Sequence, residues 1–177
     1  MWRQALLEVD ELKDGLGRGL DPGSRELVAC LRLLGLKTIM SCEGHAERET
    51  EGPYVMFRSL EAKPLEAEYW KLVAEGKRKS DEAKQLRKTA YELNLRERRK
   101  LTPLLNEFYE NRATSYDNRI IISTFDLGGS RLRCQSAEEY RLAGKSDREA
   151  FLRAHQQEFG DFTAFLMTHL KLPSSAP

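Results

Sequence analysis

No stretch of this chain approaches the ~18 apolar residues of a membrane-spanning helix. The amino-terminal segment carries Glu8, Asp10 and Glu11 and no long apolar core, so it does not read as a signal peptide. Cysteine is sparse. Cys30, Cys42 and Cys134 are an odd number without regular spacing, which excludes a disulfide framework. Net charge is also small, at +1, so no global field directs the protein toward nucleic acid or an acidic membrane. There is no internal repeat and no long low-complexity tract. These absences lead us to expect a cytosolic protein with no membrane partner. Its 177 residues suit one domain, or one core carrying an insertion.

What charge there is, is unevenly placed. Residues 77–100 hold ten Lys or Arg against four acids, a local net of +6 that leaves −5 on the rest. Long helices are normally charged on their solvated face, and (i, i+4) pairs absorb part of this excess. The remainder makes Arg96, Arg98, Arg99 and Lys100 candidate contacts for a nucleic-acid backbone, with an affinity that should fall with salt.

The apolar periodicity gives an outline of the fold. Trp2, Leu6, Leu7, Val9 and Leu12 suggest a first helix, ended by Gly15, Gly17 and Gly19. Asp21-Pro22 is a helix-start signature, Asp21 as cap and Pro22 in the first turn, and Leu27, Val28, Leu31 and Leu34 follow at helical spacing. Strands are expected at 36–40, 54–58 and 119–127, then at 131–135 after a hairpin turn at Gly128-Gly129-Ser130. Between the two strand pairs lies a charged helical segment. Pro64 can start it, 76–80 can break it, and Thr102-Pro103 can restart it. Its leucine stripe, Leu65, Leu72, Leu86, Leu93 and Leu101, should pack on its own second arm or on a second chain. An aromatic helix from Phe151 to Leu170 closes the chain, with Pro173 and a Ser-Ser-Ala-Pro tail behind it. The expected class is α+β: a small, mostly antiparallel sheet with packed helices. Residues 1–60 and 113–177 form the core, and 61–112 are a long, hairpin-like helical insertion.

The chemistry concentrates in one place. An apolar helix ends at Gly35, a short strand follows, and the strand runs into Ser41, Cys42, Glu43, Gly44 and His45. Strand ends are where a rigid sheet aims side chains and a loop frees the backbone. Gly44 suits a positive φ or the close approach of a ligand. Cys42 and His45 have the spacing of half a zinc site, but a closed site needs four ligands. Cys134, His155 and His169 offer no second pair at ligand spacing, so no metal is expected. A Cys-His nucleophile needs an orienting carboxylate, and Glu43 should point away from Cys42 if the strand alternation continues. The simplest reading is a polar binding loop formed by Ser41, Cys42, Glu43, Gly44 and His45. Arg131 and Arg133, on one face of their strand, face either a phosphate or solvent.

The run Leu27-Val28, Leu31, Leu33-Leu34-Gly35, Thr38, Ser41-Cys42-Glu43-Gly44-His45, Tyr54-Val55 and Phe57 resembles a group of short, uncharacterised bacterial and phage proteins. These share a helix, a glycine, a Thr-bearing strand, Ser-Cys-x-Gly-His and a Tyr-Val/Ile-x-Phe strand. The likeness covers roughly residues 20–58. More distantly, the motif resembles the Ser-Ser-Cys-Ser-Gly-Arg motif of the tRNA wybutosine-synthesis methyltransferases, which use S-adenosylmethionine on a modified guanosine. This chain has Met40 and Glu43 where that motif has serines, and His45 where it has arginine. The resemblance implies an α+β fold with a site at this turn.

Three functions follow as expectations. The first is binding of a nucleotide- or nucleic-acid-like ligand at the 41–45 turn. The second, from the resemblance, is an RNA-modifying methyltransferase relative. The third is a protein-interaction module that forms a homo-oligomer through the helical insertion.

Overall fold

A computed structural model of the chain describes residues 1–13, 17–47 and 52–173, apart from the side chain at 141. Gly15 and the tail at 174–177 lie outside these residues. The order of elements is α1 (Trp2–Asp10), α2 (Arg25–Leu33), β1 (Thr38–Cys42), β2 (Tyr54–Phe57), α3 (Ala62–Ala74), α4 (Asp81–Tyr109), β3 (Ile120–Phe125), β4 (Gly129–Cys134), α5 (Ala137–Leu142) and α6 (Lys145–His169). Single 3-10 turns at Pro22–Ser24 and Tyr116–Asn118 lead into α2 and β3. The four strands form one antiparallel sheet in the order β1-β2-β4-β3. The fold is therefore α+β.

Two backbone details place the site. At the end of α2, Gly35 has φ +75°, Leu36 N–H donates to Leu31 O, and Gly35 N–H donates to Arg32 O. This pair of bonds is a Schellman cap, and Gly at its left-handed position avoids the Cβ penalty. The cap uses Leu36, which is fully buried. The strand consequently starts at Thr38 rather than 36 and runs on through Ser41 and Cys42. The second detail is an irregularity between Thr38 and Met40, after which Met40 pairs with Met56 and Cys42 with Tyr54.

Helices cover one face of the sheet. Val55, Phe57, Leu132, Cys134 and Ile120 pack with Leu27, Leu31, Leu101, Leu105, Phe108, Phe159, Phe162 and Leu166 from α2, α4 and α6. Burial at this scale contributes roughly 1.5–3 kcal/mol for each large apolar side chain. Lateral partners share a face, so the register sets Cys42, Tyr54, Arg133 and Ile121 in one row of the opposite face. Met40, Met56, Arg131 and Ser123 form the next row.

The segment between the strand pairs is a helical hairpin. Leu65, Leu72, Leu86 and Leu93 pack with Tyr69, Ala83 and Ala90 into a small core between α3 and α4. Among these leucines the stripe closes on its own second arm. Leu101 departs from it and is fully buried in the main core with Leu104, Leu105 and Phe108. That packing carries α4 unbroken through Pro103, where the sequence suggests a restart. Asn94 joins hairpin to sheet: its Oδ1 accepts from Ser59 N–H, and its Nδ2 donates to Glu66 Oε1 and Leu127 O, each at 2.9 Å. Glu66 is further paired with Arg58. The β3–β4 turn is Asp126–Gly128, so Gly129 and Ser130 belong to β4 rather than to the turn.

Candidate functional site

The five motif residues do not all face one way. Ser41 pairs laterally with Val55 on the core side, and its buried Oγ has no hydrogen-bond partner among the described residues. Cys42 points to the opposite face beside Tyr54. The Glu43 side chain turns toward the start of α2, where its Oε2 accepts Gly23 N–H at 2.6 Å. Gly44 has φ +82°, and a Cβ there would lie 2.6 Å from Leu152 Cδ1 and 3.1 Å from Pro53. Of the two reasons the sequence offers for this glycine, positive φ is the one seen, and its close neighbours are protein atoms.

The turn is held from distant parts of the chain. Gln156 Nε2 of α6 donates to Glu43 O at 3.1 Å, and Tyr140 OH of α5 donates to His45 O at 3.2 Å. Gly44 N–H contacts Cys42 Sγ at 3.3 Å. Asp21, read from the sequence as a helix cap, makes no side-chain cap bond. Its Oδ2 instead accepts Glu43 N–H at 3.2 Å and lies 3.4 Å from His45 Nε2. The His45 contact has ion-pair distance but not hydrogen-bond alignment, and the buried His45 Nε2 has no hydrogen-bond partner among the described residues. Asp21, Cys42 and His45 thus come together, with one donor atom from each within 4.8 Å of the others. His155 of α6, beside Tyr140, is fully buried, and burial pulls its imidazole down to about 4.

Beside this trio lies an open cleft of about 490 Å³. Its walls are β1 from Thr38 to Cys42, Tyr54, Leu12 and Lys13, and residues 18–21 with Arg18 and Asp21. Arg131 stacks over the Tyr54 ring with its guanidinium 5.2 Å from the ring centre. Arg133, one row partner of Tyr54, donates to Glu138 at 2.6 Å. Of the expected binding residues, Ser41 and Cys42 line the cleft, while Glu43, Gly44 and His45 are not among its lining residues. Asp21, Tyr54 and Lys13 are cleft residues that the motif did not reveal. Asp21 lies on the far side of α2 from the motif in sequence, and nothing in its local pattern distinguishes a ligand from a cap.

The basic cluster is placed elsewhere. Arg96 donates to Glu61 at 2.6 Å. Arg98 donates to Ser130 Oγ and Thr124 Oγ1, and burial lowers its pKa. Lys100 reaches Glu97 at 2.6 Å and Gly35 O at 3.3 Å. Arg99 is exposed. Three of the four thus have partners within the chain, although Arg96 and Lys100 remain exposed beside theirs. A helix surface that packs on a sheet directs neighbouring charges to different partners.

No helix among the described residues is long and apolar enough to cross a membrane. Comparison with protein-family models, with curated proteins and with solved structures finds no match.

Proposed function

We propose that the cleft lined by β1, residues 12–13 and residues 18–21 binds a nucleotide-like anion. The observation that carries this is Tyr54 in the cleft wall, its ring stacked by Arg131, with Lys13 and Arg18 lining the same cleft. A tyrosine ring gives a base a stacking platform, and the cations suit phosphate oxygens. A volume of about 490 Å³ is within the range of small-molecule sites. Ser41 and Cys42 of the motif line the cleft, and Glu43 and His45 are held beside them by bonds to Gly23, Gln156 and Tyr140. The distant motif likeness to RNA-modifying methyltransferases points the same way, toward a nucleoside-bearing ligand. A cytosolic setting, where such ligands are abundant and thiols stay reduced, belongs to the same proposal.

The test is equilibrium binding of nucleoside mono- and diphosphates and of a short single-stranded RNA, at low and moderate salt. Stacking on an aromatic is worth about 1–3 kcal/mol per base, so Tyr54→Ala should weaken binding roughly 5- to 150-fold. Lys13→Glu should weaken phosphorylated ligands but not the bare nucleoside. Equal binding by wild type and Tyr54→Ala, or none by wild type at low salt, removes the reading.

A further inference from the structure

We propose that Asp21, Cys42 and His45 form an open, three-ligand site for a divalent cation of the zinc class. The proposal stands on side-chain geometry and holds whatever organic ligand the cleft accepts. The spacing Cys42-x-x-His45 gives only two ligands, and the remaining cysteines and histidines give no more. The third donor comes from a carboxylate on another element, so a count of Cys and His alone cannot find it.

The donor geometry fits one shared ion. Zinc binds thiolate sulfur at about 2.3 Å and imidazole nitrogen or carboxylate oxygen at about 2.0–2.2 Å, which sets tetrahedral edges of about 3.3–3.7 Å. His45 Nε2 and Asp21 Oδ2 are already 3.4 Å apart. With every donor pair within 4.8 Å, the thiol need close by no more than about 1 Å. Thiolate, imidazole and carboxylate together are a borderline donor set suited to zinc rather than to magnesium or calcium. Two anionic ligands would also neutralise the ion.

A second observation points to a missing partner. His45 Nε2 is shut from solvent and has no hydrogen bond among the described residues, although it lies beside Asp21. Buried polar atoms are normally satisfied, and leaving one unpaired costs about 1–3 kcal/mol. A metal at the centre of the three donors supplies that partner. A Cys-His-carboxylate relay is the competing arrangement, but there the imidazole lies between thiol and carboxylate and holds them apart. Here the thiol and carboxylate donors are themselves within 4.8 Å.

The surroundings provide support and access. Asp21 is oriented by Glu43 N–H, and the His45 backbone by Tyr140 OH. Such outer contacts are what fix metal ligands in place. Asp21 and Cys42 line the cleft, so the fourth coordination position opens toward it for water or a ligand oxygen.

The experiment uses tag-free, metal-stripped full-length chain titrated with cobalt(II), followed by zinc competition. One cobalt per chain is expected, with a thiolate-to-metal charge-transfer band and tetrahedral d–d absorption. Cys30 and Cys134 are buried and protonated, so the band should belong to Cys42 alone. Cys42→Ser should remove it, while the serine still accepts from Gly44 N–H. Asp21→Asn keeps an acceptor for Glu43 N–H and should weaken cobalt binding roughly tenfold or more. His45→Gln should do the same. Circular dichroism identifies any variant that fails to fold, and a folded Cys42→Ser chain is sufficient by itself to decide. Absence of binding by wild type, a band that survives in Cys42→Ser, or unchanged affinity in folded Asp21→Asn overturns the proposal. A thiol that alkylates rapidly but binds no cobalt would assign the trio to nucleophilic chemistry instead.

Discussion

Asp21 and Glu43 hold each other's turns: the Asp21 carboxylate accepts the backbone N–H of Glu43, and the Glu43 carboxylate accepts the backbone N–H of Gly23. The two bonds, at 3.2 and 2.6 Å, lock the entrance of α2 to the exit of β1. They give Glu43 a structural task within the Ser-Cys-Glu-Gly-His motif. They also fix Asp21 where it meets Cys42 and His45.

This exchange predicts that Glu43→Ala lowers stability by about 1.5–3 kcal/mol, the scale of a hydrogen bond to a charged group. Glu43→Gln should recover much of it, because the amide oxygen still accepts. The urea midpoint at unchanged m-value is the measurement. A Glu43→Ala midpoint equal to wild type would mean that the Gly23 bond contributes nothing in solution.

The division of the leucine stripe makes a second prediction. Leu72 is buried within the hairpin, whereas Leu101 is fully enclosed in the main core. Both lose buried methyl groups on change to alanine, at a cost of about 2–5 kcal/mol. The difference should lie in what opens. Leu72→Ala should raise amide exchange in α3 and the first half of α4 and leave β2 and β4 protected. Leu101→Ala should reduce protection throughout, since α4 and the sheet share that core. Uniform loss of protection in Leu72→Ala would show that hairpin and core unfold as one.

A third prediction concerns acid. Ser136 Oγ donates to Asp117 O at 2.8 Å and lies 2.9 Å from His155 Nε2, so Nε2 carries the proton and donates to Ser136. His155 Nδ1 is buried beneath Gly52 without a hydrogen-bond partner among the described residues. Burial accordingly brings the imidazole from 6.5 to about 4, partly opposed by Glu139. The unfolded chain therefore binds the proton first. The stabilisation is complete above about 6.5, is lost as pH falls toward about 4, and is constant below that. The loss from this group between pH 7 and 4.5 should be about 2–3 kcal/mol. His155→Gln should flatten that part of the pH–stability curve. A wild-type slope unchanged by the substitution would place the proton uptake elsewhere.

Much of the fold follows from local pattern. Apolar spacing at Leu27, Val28 and Leu31 and the glycine at 35 define α2 and its end, because helix periodicity and a left-handed cap are properties of neighbouring residues. The same holds for the alternation of Arg131, Leu132 and Arg133, and for the Ser80 cap of α4, whose Oγ accepts Ala83 N–H at 3.1 Å. The motif likewise marks Cys42 and His45 as neighbours. Boundaries were less legible. Leu36 looks like a strand residue until the Schellman cap withdraws it, and Pro103 looks like a break until the core on both sides holds α4 together. The meeting of Asp21 with Cys42 and His45, the Arg131 stack on Tyr54 and the burial of His155 were decided only by tertiary structure. Each joins residues that local sequence rules do not couple. Their distances depend on the sheet register, on the bulge in β1 and on where α5 and α6 press against the turn, and those are set by packing across the whole chain.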